Sequence, residues 1–201
     1  MSKTQSLVSG ESFTYELLWS CCTRQMAVAR SGEQGSHYFY LTAMTMAYFT
    51  FEAYVNHALR CVAPEIFENE KTHFSKGEYS GTPGKLKKLC ELGGFDLPDT
   101  SRRPYQSIRL LQNLRDVVVH GKTHTFESRV KHLICENPSV VESKFDKFVS
   151  AKQATICLDD TQEFIRWLNS KLRASFFDCG LLVSPLSGFH GHSNAEYVEE
   201  T

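Results

Sequence analysis

The sixteen residues SHYFYLTAMTMAYFTF, Ser36 to Phe51, hold six Phe or Tyr rings and no formal charge. A membrane-spanning helix needs about 20 apolar residues. This stretch is shorter, dotted with threonines and closed by Glu52, so it reads as a core helix. The pattern runs on to Val62, with Tyr38, Phe39, Tyr40, Met44, Met46, Phe49, Phe51, Tyr54, Val55 and Leu59 covering nearly every side before Pro64 stops it. A helix apolar all round must be surrounded by other elements. That requirement sets the class of fold: an all-α protein packed around its second helix.

The flanking segments supply the surround. From about Ser12 to Arg30, Leu18, Cys22, Met26 and Ala29 recur at helical spacing until SGEQG ends the run. A polar loop is expected up to Pro83, followed by a short amphipathic helix in KLKKLCEL, Lys85 to Leu92, stopped by Gly93-Gly94. Pro104 suits the first turn of a fourth helix, which carries Ile108, Leu111, Leu114 and Val118 on one side and ends at Gly121. The signal is weak between Lys122 and Gln153, with a short helix indicated near Val140 to Phe148. ATICL, Ala154 to Leu158, has the composition of one short strand. Asp160 with Glu163 forms a capping box for a last helix, Thr161 to about Phe177.

A chain of 201 residues supports one good-sized core. The expectation is therefore a single helical domain over residues 1–178 and a poorly anchored tail over 179–201. The domain reads as a four- to five-helix bundle with a loop-rich insertion and one short strand before the last helix.

The N-terminal MSKTQSLVSGES lacks the apolar core of a secretory signal, so a cytoplasmic location is expected. The seven cysteines, an odd number without a C-x-x-C pair, read as reduced and mostly buried thiols. A net charge of −1 argues against a protein that coats nucleic acid by charge alone. The charge is uneven, however: Lys85 to Lys131 holds ten Lys/Arg against five Asp/Glu.

Several motifs fail on spacing. GTPGKL, Gly81 to Leu86, resembles a phosphate loop, but Tyr79 and Leu86 occupy the places of its glycine and its Ser or Thr. His120, His124, His132 and Cys135 are of zinc-binding type, yet their spacing fits no standard finger and Gly121 breaks the helix between the first two. His190-Gly-His192 falls in the tail and reads as solvated, and there is no G-x-S-x-G elbow. No metal and no cofactor are expected.

LRDVVVHGK, Leu114 to Lys122, lies inside the basic third at the end of the fourth helix. A histidine in the last turn followed by glycine is an ordinary helix stop. An Arg…His match at this spacing is also expected about once by chance in a chain with this many of both. The order and placement of Arg115, Asp116 and His120 nevertheless resemble the motif of the HEPN superfamily, helical nucleotide-binding and RNA-cleaving domains. There an arginine with a polar neighbour precedes a histidine by four to six residues late in a helix. FEAYVNHAL, Phe51 to Leu59, is similar to the family's second helix, where an acidic residue commonly sits among aromatics. The resemblance extends over about Phe13 to Phe177, but only LRDVVVHG is specific. A tyrosine two places after the histidine, found in the subgroup silenced by a nucleotidyltransferase, is replaced by Lys122.

At about 100° per residue, Arg109, Asn113, Asp116 and His120 form one polar stripe, while Arg115 lies about 140° from His120. One helix does not aim both at one phosphate. Two copies about a twofold axis do, and the resemblance implies the same composite cleft in a homodimer. It further implies an endoribonuclease acting on RNA, of the kind that serves as a toxin or phage-defence effector with an antitoxin protein as partner. The absence of clustered carboxylates or a zinc spacing makes metal-independent cleavage the expectation. Histidine can move a proton near neutral pH, and arginine grips two phosphate oxygens. Arg115 and His120 are thus the candidate catalytic pair, with Asp116 and Asn113 placed to orient His120 and Glu52 to hold Arg115. Arg109 and Lys122 are candidate RNA contacts. Two other readings are open: a HEPN-like module that binds nucleotide or protein without cutting, and a purely structural helical protein in which Arg115 is buried in an ion pair and Glu52 and Asn56 tie helices together.

Overall fold

The computed structural model describes residues 5–32, 34–121 and 148–198. Its elements run β1 (Gln5–Ser12), α1 (Thr14–Arg30), α2 (Ser36–Val62), α3 (Pro64–Glu68), α4 (Glu70–Phe74), a 3-10 turn (Gly77–Tyr79), α5 (Gly81–Gly93), α6 (Tyr105–His120), α7 (Ala151–Ser175) and β2 (Gly191–Val198). The class is all-α, with seven helices and one two-stranded sheet among the described residues. No helix of the described residues is long and apolar enough to cross a membrane.

The aromatic helix is the axis of the packing. α2 touches α1, α3, α5, α6 and α7. It buries Ala43, Met44, Ala47, Tyr48, Phe51, Tyr54, Val55, Ala58 and Leu59. The alanines let neighbouring helices approach, while the rings fill the remaining space at the density of a protein interior. α1 follows its predicted span closely and buries Tyr15, Trp19, Cys22, Met26 and Ala29 along one face.

Four expectations are corrected. The loop expected before Pro83 contains α3, α4 and the 3-10 turn. Each is about one turn long, too short to show periodicity, and Ile66, Phe67 and Phe74 fasten them to the core. ATICL is not a strand but part of α7. Ala154, Cys157, Leu158 and Thr161 are buried at helical spacing, and the β-branched Thr155 and Thr161 donate their hydroxyls to the carbonyls of Ala151 and Cys157. Nor is Asp160 a cap. α7 starts a full ten residues earlier than expected, where the Ser150 hydroxyl accepts from the Gln153 amide at 3.2 Å. Asp160 is instead buried mid-helix, accepting from Arg103 Nε and Nη2 at 2.7 Å each and from Ser107 Oγ. The short helix expected near Val140 to Phe148 falls almost wholly outside the described residues.

The fourth correction concerns the tail. β2 pairs antiparallel with β1, Gly10 opposite Ser193 and Ser12 opposite Gly191. Leu181 and Leu186 are buried, and the fully buried Glu16 carboxylate of α1 accepts from the amides of Leu186 and Gly188 at 2.5 and 2.8 Å. The segment after α7 is thus held to the bundle by hydrogen bonds to a buried charge. His190, expected to be solvated, meets Ser20 Oγ at 2.8 Å through Nε2 while staying exposed.

Candidate functional site

α6 is amphipathic: Ile108, Leu111 and Leu114 face the core, and the helix packs on α2 and α7. It ends at Gly121, whose φ of 52° is left-handed and whose amide returns to the Val117 carbonyl at 3.2 Å. The motif occupies this last stretch. The helix stays regular through His120, so Arg115 and His120 are separated by about 140° around the axis and about 7.5 Å along it. Within one chain the two side chains do not converge.

Arg115 reaches inward. Its Nη2 donates to Glu52 Oε1 at 3.2 Å and its Nη1 to Asp116 Oδ1 at 2.9 Å. The guanidinium carbon lies 5.0 Å from the centre of the Tyr48 ring. The Arg115 side chain is 24% exposed, and its Nε is buried without a hydrogen-bond partner among the described residues. Glu52 Oε1 also accepts from Thr82 Oγ at 2.6 Å. Burial first, and the Glu52 carboxylate second, push the Tyr48 phenol up to about 12. Tyr48 is therefore a neutral ring at physiological pH and serves as a platform.

Arg115 and Glu52 border a cleft of about 520 Å³ between α2, α4, α5 and α6. Lys85 closes its floor with a side chain only 7% exposed, donating to Asn56 Oδ1 at 2.7 Å and Glu70 Oε1 at 2.5 Å. Arg115 and Lys85 are thus matched by carboxylates, while the exposed Lys71, which also lines the cleft, has no ion pair among the described residues. GTPGKL supplies this floor, and its glycine has a packing role: a Cβ at Gly84 would lie 1.9 Å from the Tyr79 carbonyl.

The expected residues divide into two groups. Glu52 does hold Arg115, and Asn56 does tie α2 to α5. Asp116, expected to orient His120, is engaged by Arg115 instead. Arg109, Asn113 and His120 are exposed on the outer side of α6. Lys122, along with His124, His132 and Cys135 of the zinc combination, lies outside the described residues. Tyr48, Thr82, Lys85 and Glu70 are site residues that sequence reasoning missed. Only Glu52 and Asn56, four apart and polar within an otherwise apolar helix, signalled that α2 carried a polar face here. No protein-family model, curated protein or solved structure matches this chain.

Proposed function

We propose that this chain is a HEPN-type, metal-independent endoribonuclease that works as a homodimer. The observation that carries the reading is the Glu52–Arg115 pair, which joins the acidic position of the aromatic helix to the arginine of the motif across a cleft. A second observation supports dimerisation: Leu110 and Val117 are exposed beside Asn113 and His120 on the outer face of α6. A twofold mate covers this apolar strip and brings its own motif opposite the first.

In that arrangement His120 of one copy takes the proton of the ribose 2′-OH as its oxygen attacks the adjacent phosphorus. His120 of the partner subunit protonates the departing 5′ oxygen. Arg115, steered by Glu52 and Tyr48, stabilises the charge on the phosphorane oxygens. The products carry a 2′,3′-cyclic phosphate and a 5′-OH, and DNA, without the attacking hydroxyl, is spared.

The test is incubation of the purified protein with mixed RNA in the presence of chelator, with the fragment ends read by mass spectrometry. Cyclic phosphate ends that disappear with His120→Ala support the mechanism. Fragments bearing 5′-phosphate, or cleavage by His120→Ala at the wild-type rate, overturn it. Arg115 is ion-paired at both guanidinium ends, and this favours a second reading, a structural helical protein in which the Glu52–Arg115 pair ties α2 to α6. That reading expects neither RNA binding nor cleavage under any condition.

A further inference from the structure

A second cleft, of about 410 Å³, opens between α7 and the segment that follows it. Arg166, Ser170 and Arg173 line one side, and Val183, Ser184 and Pro185 the other. Arg166 and Arg173 are seven apart on α7, which puts them within about 20° of each other around the axis and about 10 Å apart along it. Both are exposed. No carboxylate lines the cleft, and neither arginine has an ion pair among the described residues. In the Arg115 cleft, by contrast, Arg115 and Lys85 are each matched by a carboxylate.

The cleft is built rather than incidental. Between the two arginines, the buried Asn169 accepts from the Tyr54 hydroxyl of α2 at 2.9 Å and donates from Nδ2 to the Leu182 carbonyl at 3.1 Å. The facing wall is therefore tied to the helix that carries the arginines. Four residues further on, Glu16 holds the same segment at Leu186. A fixed wall opposite two unpaired guanidinium forks suits a ligand with successive anionic groups, since each fork grips one phosphate through two oxygens. The serine hydroxyls add neutral donors, and the exposed Val183, backed by the buried Pro185, gives an apolar surface for a ribose or base.

The geometry points to a phosphodiester-binding subsite at Arg166 and Arg173, which holds an RNA strand on α7 in a cleft that shares no lining residue with the Arg115 cleft. This rests on the proposed RNA substrate, so binding and cutting must be scored apart. A short 2′-O-methyl oligoribonucleotide, which cannot be cut by 2′-OH attack, is titrated by fluorescence anisotropy at about 50 to 200 mM salt. Each phosphate neutralised on a single strand contributes about 0.7 to the slope of log affinity against log salt. The double variant Arg166→Ala/Arg173→Ala is expected to flatten that slope by about 1.4, and each single change by about half as much. The thermal midpoint should not move, because both side chains are exposed.

An unchanged slope in the double variant overturns the subsite, as does a wild-type protein that does not bind the oligonucleotide. Inorganic phosphate that displaces the Arg166- and Arg173-dependent component as effectively as added strand also overturns it, in favour of a small-anion site. A flattened slope with no RNA ever cleaved keeps the subsite and removes the nuclease reading. Cleaved RNA with coincident slopes does the opposite.

Discussion

The clefts at Arg115 and at Arg166 treat their arginines in opposite ways. Arg115 and Lys85 each have a carboxylate within 3.2 Å and are largely withdrawn from water, and of the cations lining that cleft only Lys71 is exposed and without an ion pair among the described residues. At Arg166 and Arg173 the forks stand exposed opposite Val183, Ser184 and Pro185. A matched, half-buried cation is held in one place but adds little attraction for a distant polyanion. An unmatched one attracts strongly and is aimed only loosely. The difference suggests a division of labour: the α6 cleft is suited to orienting a phosphate already delivered, and the α7 cleft to retaining the strand.

The sharpest way to break this comparison is to change His120. His120→Ala is expected to remove roughly 10²- to 10⁴-fold of the cleavage rate, the ordinary worth of general acid-base catalysis. Its affinity for the 2′-O-methyl strand should stay near wild type, because the side chain is exposed and is not part of the α7 cleft. Arg115→Lys should lose most of the rate as well, since an ammonium keeps the charge but not the planar fork. Single-turnover cleavage at saturating RNA, set beside anisotropy, separates the two quantities. Equal losses of rate and affinity in His120→Ala would merge the two sites into one.

Next in size is Glu16→Ala. The fully buried carboxylate accepts two backbone amides, and its removal strands both. The expected cost is about 2–4 kcal/mol, read as a lower urea midpoint. Because the freed segment carries Val183, Ser184 and Pro185, RNA affinity should fall in the variant while single-turnover cleavage at saturating RNA holds. A variant with full stability and unchanged affinity would show that the α7 cleft does not depend on its far wall.

That wall was also the least legible part of the chain. QSLVSGES and GHSNAEYV have no alternating apolar pattern, so nothing local marks them as strands. Their pairing comes from bringing the two ends of the chain together, and Glu16 reads in sequence as one more polar residue in a first turn. The helices were legible where apolar residues recur over many turns, as in α1, α2 and α6. α7 was misread at its start because ATICL is rich in β-branched and small apolar residues, and the capping serine lies before a stretch with weak periodicity. At the candidate site, the arginine and its acidic partner could be named from the sequence. The matching of Lys85 by Asn56 and Glu70, and the unmatched state of Arg166 and Arg173, depend on which helices meet.

A smaller effect is expected from Glu52→Gln. The pair with Arg115 is partly open to solvent, with side chains 24% and 28% exposed, so its loss should change stability by less than about 1 kcal/mol. The informative readout is functional. With Arg115 left to its Asp116 partner alone, strand affinity should rise modestly and the salt slope steepen, while cleavage slows because the guanidinium is less well aimed. If cleavage and affinity rise together, Glu52 acts as a brake on Arg115 rather than as its guide.

The smallest effect is a pH dependence confined to one side of the comparison. His57 of α2 is packed against Phe13 and Tyr15, with ring centres 5.2 and 5.0 Å away. Tyr15 in turn meets the edge of Tyr54, whose hydroxyl supports Asn169 in the floor of the α7 cleft. Burial holds the His57 pKa below its usual value, the Arg60 charge adds to this, and Glu11 opposes it. In the unfolded chain the imidazole titrates near about 6.5. Between that value and the lower folded one, the unfolded state binds more protons, so stability is present above about pH 6.5 and is lost as the pH falls. Urea midpoints taken from neutral to mildly acidic pH should decline in the wild type and decline less in His57→Gln. Over the same range, protonation of exposed groups adds positive charge and favours strand binding. The loosened Tyr15–Tyr54–Asn169 contacts should offset that gain in the wild type, and His57→Gln should recover it. Parallel profiles for the two proteins would show that His57 is not coupled to the α7 cleft.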